Sequence, residues 1–261
     1  MTAQLWFFII ISLVIFNYSF SNLLDYINHR NWKDEIPNEL KDFYDKEKYK
    51  KAKNYALSKN KISLFSSSLS FSLVISLIVF NGYGIIDQFV SFNLSKSFES
   101  LQISSNFIQS GVFFLILFIL NSIISIPFSY YKTFVIEEKF GFNKTTKLTF
   151  FIDIIKSTLL SFFIGGILLF LAIYLYENLN DGFWLWLWIG LSLLMILINM
   201  FYADLIVPIF NKLTPLDDGE LRNKIEKYSN DVGYLLKNIY VIDGSKRSTK
   251  ANAFFSGLGP R

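Results

Sequence analysis

Five long apolar stretches constrain this chain more than any other feature: residues 3–20, 62–80, 107–131, 150–176 and 183–207. The hydrocarbon core of a bilayer is about 30 Å thick and takes roughly 20 apolar residues as a helix. The first three stretches contain no Asp, Glu, Lys or Arg; the fourth carries Asp153 and Lys156 near its start, and the fifth carries Asp204 near its end. Helices buried in a water-soluble core need shorter runs, about 10–14 residues with polar interruptions. Composition agrees. Hydrophobic residues make up 52% of the 261 positions and charged residues only 18%, against about 25% charged in globular domains. The chain is short of residues to coat a surface facing water. Residues 1–207 therefore read as an all-α, multi-span membrane domain of five transmembrane helices, and the lipid bilayer is the first expected partner.

Basic residues in the connections give the direction. Loop 21–61 holds ten (Arg30, Lys33, Lys41, Lys46, Lys48, Lys50, Lys51, Lys53, Lys59 and Lys61), loop 81–106 only Lys96, loop 132–149 four, loop 177–182 none, and the tail from 208 nine. That alternation is the positive-inside pattern of five true spans, with the N-terminus outside and the tail after Val207 in the cytoplasm. Such a chain sits in the inner membrane of a bacterium or the endoplasmic reticulum membrane of a eukaryote. The first stretch has no Lys or Arg before it and no small-x-small site after it, so it reads as a retained helix rather than a cleaved signal peptide.

Several chemistries are excluded at once. Cysteine is absent, which removes disulfides, iron–sulfur clusters and thiolate zinc sites. The single histidine, His29, cannot supply a site that needs two imidazoles. No phosphate-binding glycine loop of the GxxxxGK or GxGxxG type occurs. In loop 21–61 seven acidic residues interleave with the ten basic ones, so it reads as a solvated helix near the membrane rather than a nucleic-acid surface, and no nucleic-acid partner is expected.

From Pro208 the composition becomes that of a soluble fold. Thr214-Pro215-Leu216-Asp217 predicts a helix start: a hydroxyl cap, a proline in the first turn and an acid three residues past the cap. Leu221, Ile225, Tyr228 and Val232 recur at helical spacing as one apolar stripe, and Gly233 ends the helix. Ile239–Ile242 reads as a short strand, Asp243-Gly244-Ser245 as a turn, and Ala251–Phe255 as a second strand closed by Gly257. Residues 208–261 are thus expected to begin an α+β domain, one helix plus a β-hairpin. That is too little to bury an independent core, so the domain is expected to be incomplete.

Three stretches resemble a known family in their order and spacing: TFVIEEKFGFNKTT (133–146), PIFNKLTPLDDGEL (208–221) and IYVIDGSKRSTKANAFFSGLG (239–259). They are similar to the integral-membrane zinc metalloendopeptidases that process CAAX prenyl proteins. The resemblance implies hydrolysis of a peptide bond in a prenylated or membrane-associated protein by a zinc-activated water. It also implies a chamber enclosed by membrane helices. In that family Zn2+ is held by the two His of an H-E-x-x-H helix and a later Glu; His at i and i+4 share one face, and three ligands leave a position open for water. No H-E-x-x-H occurs in this sequence. No metal ligand and no catalytic residue can be assigned in this chain, which by itself is expected to be inactive.

What the resemblance carries over is substrate positioning. Asn252-Ala253-Phe254 is similar to the Asn-Ala-aromatic segment on the edge strand of such proteases, where an extended peptide adds as a further strand. Asn252 would anchor the substrate backbone, Ala253 would allow close approach, and Phe254 would pack on the other face. The alternative reading is an ordinary hairpin strand facing a core. For residues 133–146 a structural role is expected, with Glu137, Glu138, Asn143 and Lys144 bonding to the tail and Gly141 making a tight turn between two Phe. His29 reads as a surface or interfacial residue and Asp204 as snorkelling at the cytoplasmic boundary. Ser66, Ser70, Asn121, Ser122 and Ser125 either line a wet interior or permit close helix packing. The rival to a protease is a catalytically silent five-span scaffold or binding module.

Overall fold

In the computed structural model, residues 2–94, 105–234 and 236–255 are described. Lys96 and Gly257 lie outside them. Among the described residues five helices are long and apolar enough to cross a membrane. They are α1 (Ala3–Arg30), α2 (Lys46–Val79), α4 (Ser105–Tyr131), α5 (Lys147–Asn178) and α6 (Phe183–Phe201), with a shorter α3 (Gly82–Leu94) between the second and third. The five expected spans are all present. By packing, the chain divides into two units, Met1–Asn143 and Lys144–Arg261.

In the first unit, α1 and α2 overrun their apolar stretches. The 34 residues of α2 extend about 51 Å at 1.5 Å per residue, well beyond a hydrocarbon core. Its first half, Lys46 to Lys61, has neither Gly nor Pro and holds seven Lys, a good helix former, so nothing stops the helix on leaving the lipid. The solvated helix expected in loop 21–61 takes the form of extensions of α1 and α2. Residues 31–45 connect them with one 3-10 turn, Asn38–Leu40. Asp45 caps α2 by accepting the Lys48 N–H at 2.7 Å. Helix α3 falls in what reads from sequence as a loop; its 13 residues are too few to cross a bilayer, and it buries Val90 completely.

Helix α4 contains Pro127 and runs directly into a π-helical turn, Lys132–Glu137, where a loop was expected. The helix stops at Gly141, in the left-handed region at φ +76°, which only glycine enters without strain. This turn presents Phe140 and Phe142 edge-on to one ring, Tyr55 of α2, at centroid distances of 5.3 and 5.0 Å. The expected tight turn docking two aromatics is present. Tyr55 also donates its hydroxyl proton to Glu137, and Asn143 Nδ2 donates to Glu138 Oε2 at 2.8 Å. The acids of this segment bond within their own unit.

In the second unit, Thr146 caps α5 by accepting the Thr149 N–H at 3.1 Å. A 3-10 turn, Asn180–Gly182, returns the chain into α6. A second π-helical turn, Tyr202–Ile206, leads to the four-residue α7 (Val207–Phe210). Then follow β1 (Leu213–Pro215), α8 (Glu220–Asp231) and β2 (Tyr240–Ile242).

The tail differs from the sequence expectation in two ways. Thr214-Pro215 is not a helix cap. It lies in β1, antiparallel to β2 with Leu213 opposite Ile242, Thr214 opposite Val241 and Pro215 opposite Tyr240. Proline is tolerated at such an edge, where its missing N–H leaves no ladder position empty, and α8 begins after Gly219 instead. The strand at 239–242 is present, but its partner is β1 rather than Ala251–Phe255, which is irregular and exposed. The helix end at Gly233 is as expected: at φ +71° it lets the Tyr234 N–H reach the Ser229 carbonyl at 2.8 Å and its own N–H reach Asn230 at 3.1 Å, a Schellman cap.

Candidate functional site

The three motif stretches lead to one side chain, Arg247, which follows the 3-10 turn Gly244–Lys246. Its guanidinium grips Asp153 of α5 with both arms, Nε to Oδ2 at 2.6 Å and Nη2 to Oδ1 at 2.7 Å. Nη1 donates to Asn211 Oδ1 at 2.7 Å, and Nη2 also donates to the Phe210 carbonyl at 2.8 Å. The Arg247 carbonyl accepts from the Lys144 N–H at 3.0 Å and the Thr145 hydroxyl at 3.1 Å. One residue thus ties the start of α5, the exit from α7 and the segment after β2. Bidentate geometry suits a guanidinium and no other cation. The bond to Asp153 raises the Arg247 pKa above its ordinary value, so it stays charged.

Asp243 makes a second tie. It accepts the Lys212 N–H at 2.8 Å and the Lys246 ammonium at 2.8 Å, while its own N–H donates to the Lys212 carbonyl at 3.2 Å. The hydrogen bond from Lys246, then that from Lys212, hold its carboxyl below the usual aspartate range. Lys156, one turn past Asp153 on α5, donates to the Ile209 carbonyl at 2.7 Å. Asp153 and Lys156 are the two charges of the fourth apolar stretch, and both bind the tail. Their placement in an otherwise apolar window is the signal that could have pointed to these partners, because a charge there needs one. Arg247, Asn211 and Asp243 carried no comparable signal beyond lying in the motif stretches.

Arg247 stands five residues before Asn252. Asn252, Ala253 and Phe254 all lie exposed in irregular chain, and among the described residues the backbone of Ala251–Phe255 is engaged in no ladder. Phe254 meets Tyr202 of the π-helical turn edge-on at 6.1 Å, so its ring packs while Asn252 and Ala253 face outward. Lys144 is held by the Arg247 segment. Asp204 is exposed in the same π-helical turn as Tyr202.

In the first unit, His29 is half-buried and lines a cavity together with Ser66. Ser70 and Asn121 line a smaller one of about 130 Å3. Ser122 and Ser125 bond back to their own helix, at 2.8 and 3.4 Å. Among the described residues no three His, Cys, Asp or Glu side chains gather as a metal site. One imidazole and no thiol do not fit a zinc set built on two His.

A family model described as the CAAX prenyl protease N-terminal domain with five membrane helices matches residues 25–212. CAAX prenyl protease 1 of Saccharomyces cerevisiae is 35% identical over 258 residues, covering 97% of this chain and 56% of that protein. The CAAX prenyl protease 1 homolog of Mus musculus is 33% identical over 229 residues, covering 85% of this chain and 46% of its own length. The crystal structure of S. mikatae Ste24p superposes with a TM-score of 0.83 at 33% identity, over 98% of this chain and 60% of that one. The chain spans about half the length of the curated relatives it matches. With five helices long and apolar enough to cross a membrane, four of them wholly inside the matched region, and its three motif stretches gathered on Arg247, the chain is a multi-pass membrane protein that belongs to the CAAX prenyl protease family.

Proposed function

We propose that this chain is the membrane and substrate-positioning portion of a zinc metalloendopeptidase that cleaves prenylated or membrane-associated proteins. The observation that carries the reading is the family match across the membrane domain, residues 25–212. The chain's own donors do not fit the zinc site, so no catalytic step is assigned to them, and the 261 residues alone are expected to be inactive. The orientation proposed is N-terminus outside and tail in the cytoplasm, supported by the basic residues of the connections. The residues assigned to substrate are Asn252, Ala253 and Phe254. Asn252 hydrogen-bonds the backbone of an extended peptide, Ala253 lets that peptide approach, and Phe254 anchors the segment on Tyr202. The outward exposure of Asn252 and Ala253 and the packing of Phe254 support these roles.

The test is kinetic. In the intact protein Asn252→Ala removes one or two hydrogen bonds to substrate, each worth about 1 kcal/mol, so kcat/KM on a prenylated peptide should fall roughly five- to thirtyfold. An unchanged kcat/KM would remove Asn252 from the site. Cleavage by the purified 261-residue chain would contradict the assignment of the zinc ligands to residues outside it.

A further inference from the structure

The cavity that His29 lines has a volume of about 810 Å3 and lies between α1, α2 and α4 with the π-helical turn. Its charged lining is Asp25 and His29 from α1, Lys59 from α2 and Lys132 from the turn. Two lysines and an imidazole thus face a single carboxylate. Serines of α2, among them Ser63, Ser66 and Ser67, add hydroxyls to the same wall. His29 lines the cavity as a half-buried imidazole.

The level of the cavity is as informative as its charge. On α2 the lining runs from Ala52 to Ser67 and straddles the change at Lys61–Ile62 from polar to apolar sequence. On α4 it runs from Phe128 to Lys132, where apolar sequence becomes basic. On α1 it lies beyond the apolar stretch 3–20, and Trp32 and Tyr55 stand at the same level. Three chain segments make the apolar-to-polar change around one cavity, with aromatic rings beside it. That is the depth of the lipid phosphates and of interfacial aromatic belts. Basic pockets between membrane helices on the cytoplasmic side hold anionic lipid headgroups.

We propose that this cavity binds the phosphate headgroup of an anionic phospholipid, with Lys59 and Lys132 as its cationic ligands. The acyl chains then run along the apolar side past Ile62 and Phe128. The inference is independent of the assignment of Asn252.

The intact protein is reconstituted in vesicles of phosphatidylcholine with phosphatidylserine, extracted into detergent, washed, and its retained lipid counted by mass spectrometry. The expected result is retained phosphatidylserine near one per protein and little phosphatidylcholine. Lys132→Gln should weaken retention about fivefold and Lys59→Gln/Lys132→Gln about twenty-five-fold. Lys41→Gln/Lys61→Gln, the same charge change on exposed positions outside the cavity, should leave it unchanged. Asp25→Asn, which removes the opposing carboxylate, should strengthen retention and needs no lysine to be lost. Equal loss in the cavity and control pairs would assign the effect to diffuse surface charge and overturn the proposal. So would an Asp25→Asn variant with unchanged retention, equal retention of the two lipids, or displacement of the lipid by inorganic phosphate alone or by a peptide with a free C-terminal carboxylate.

Discussion

Replacing Asp153 by Asn should loosen the tail without disturbing the membrane helices. The amide keeps the size of the carboxylate but loses the charge and one of the two acceptor atoms that Arg247 grips. Hydrogen bonds to charged groups contribute about 1.5–3 kcal/mol each. The two side chains are 24% and 23% exposed, so partial solvation places each bond near the low end and the pair near about 3 kcal/mol. That energy is a factor of roughly 150 in a local opening equilibrium. Hydrogen exchange in the intact protein reads it directly at the Lys144 amide, which is bonded to the Arg247 carbonyl at 3.0 Å. Its exchange should accelerate about a hundredfold, while amides in the middle of α6 stay unchanged as an internal reference. Arg247→Met should cost more than Asp153→Asn, because Asn211 and the Phe210 carbonyl lose their donors as well. In the double variant Asp153→Asn/Arg247→Met the two losses should not add, since no charge of the pair is left alone. A change under about threefold at Lys144 for Asp153→Asn, or strict additivity in the double variant, would refute the clamp.

The pH dependence of the same region should come from Asp243. Its folded pKa lies below the ordinary value, so its contribution is fully present above about pH 4 and is lost as pH falls through the folded pKa. Protection of the Lys212 amide should be flat from neutral pH down to about 5 and then drop on further acidification, and Asp243→Asn should abolish that step. At the end of α8, Gly233→Ala should cost about 1 kcal/mol through backbone strain alone, because a Cβ there would meet nothing within 4 Å. The Tyr234 amide should then exchange about fivefold faster, while Gly233→Asn should cost less.

The membrane part of the fold was legible because its signal is simple: apolar length against bilayer thickness. Helix ends were not, because α2 and α4 continue past the lipid wherever no Gly, Pro or cap stops them. The π-helical turn after Tyr131 therefore reads from sequence as a loop, and the polar half of α2 as a solvated helix whose continuity with the span is not visible. In the tail, a hydroxyl-proline-acid pattern fits a helix cap and an edge strand equally well. The choice at Thr214 is made by pairing with Val241, 27 residues away, which local sequence does not contain. The outcome for α8 has the same origin. Its apolar stripe exists, but Leu221, Tyr228 and Val232 are 61%, 70% and 56% exposed, while Arg222 reaches back to the Leu216 carbonyl at 2.7 Å. The assignment of Asn252, Ala253 and Phe254 to substrate rests on family resemblance alone, since nothing in Asn-Ala-Phe distinguishes a binding edge from a plain strand.

The distribution of buried side chains shows what holds such a chain together. Among the described residues the buried hydrophobics are Tyr49, Val90, Ile136, Phe140, Phe150 and Val207. Apart from Val90 in the short α3, each sits where a membrane helix begins, ends or has already left the lipid. The apolar windows of the first four spans bury none of their residues, and that of the last only 6%. Lipid tails are as apolar as leucine, so burying one span against another gains no hydrophobic free energy in the middle of the bilayer. Polar ties there are sparse, such as the Tyr18 hydroxyl with Ser68 at 2.7 Å. Specific order therefore concentrates where helices meet water: the Tyr55–Phe140–Phe142 cluster in the first unit and the Arg247–Asp153 fork in the second. Tertiary organisation set at the membrane boundary keeps the interior faces of the spans free to be polar, as Ser66 and Ser70 are. It also places the rigid elements next to the two segments assigned to ligands, the His29 cavity and the chain around Asn252.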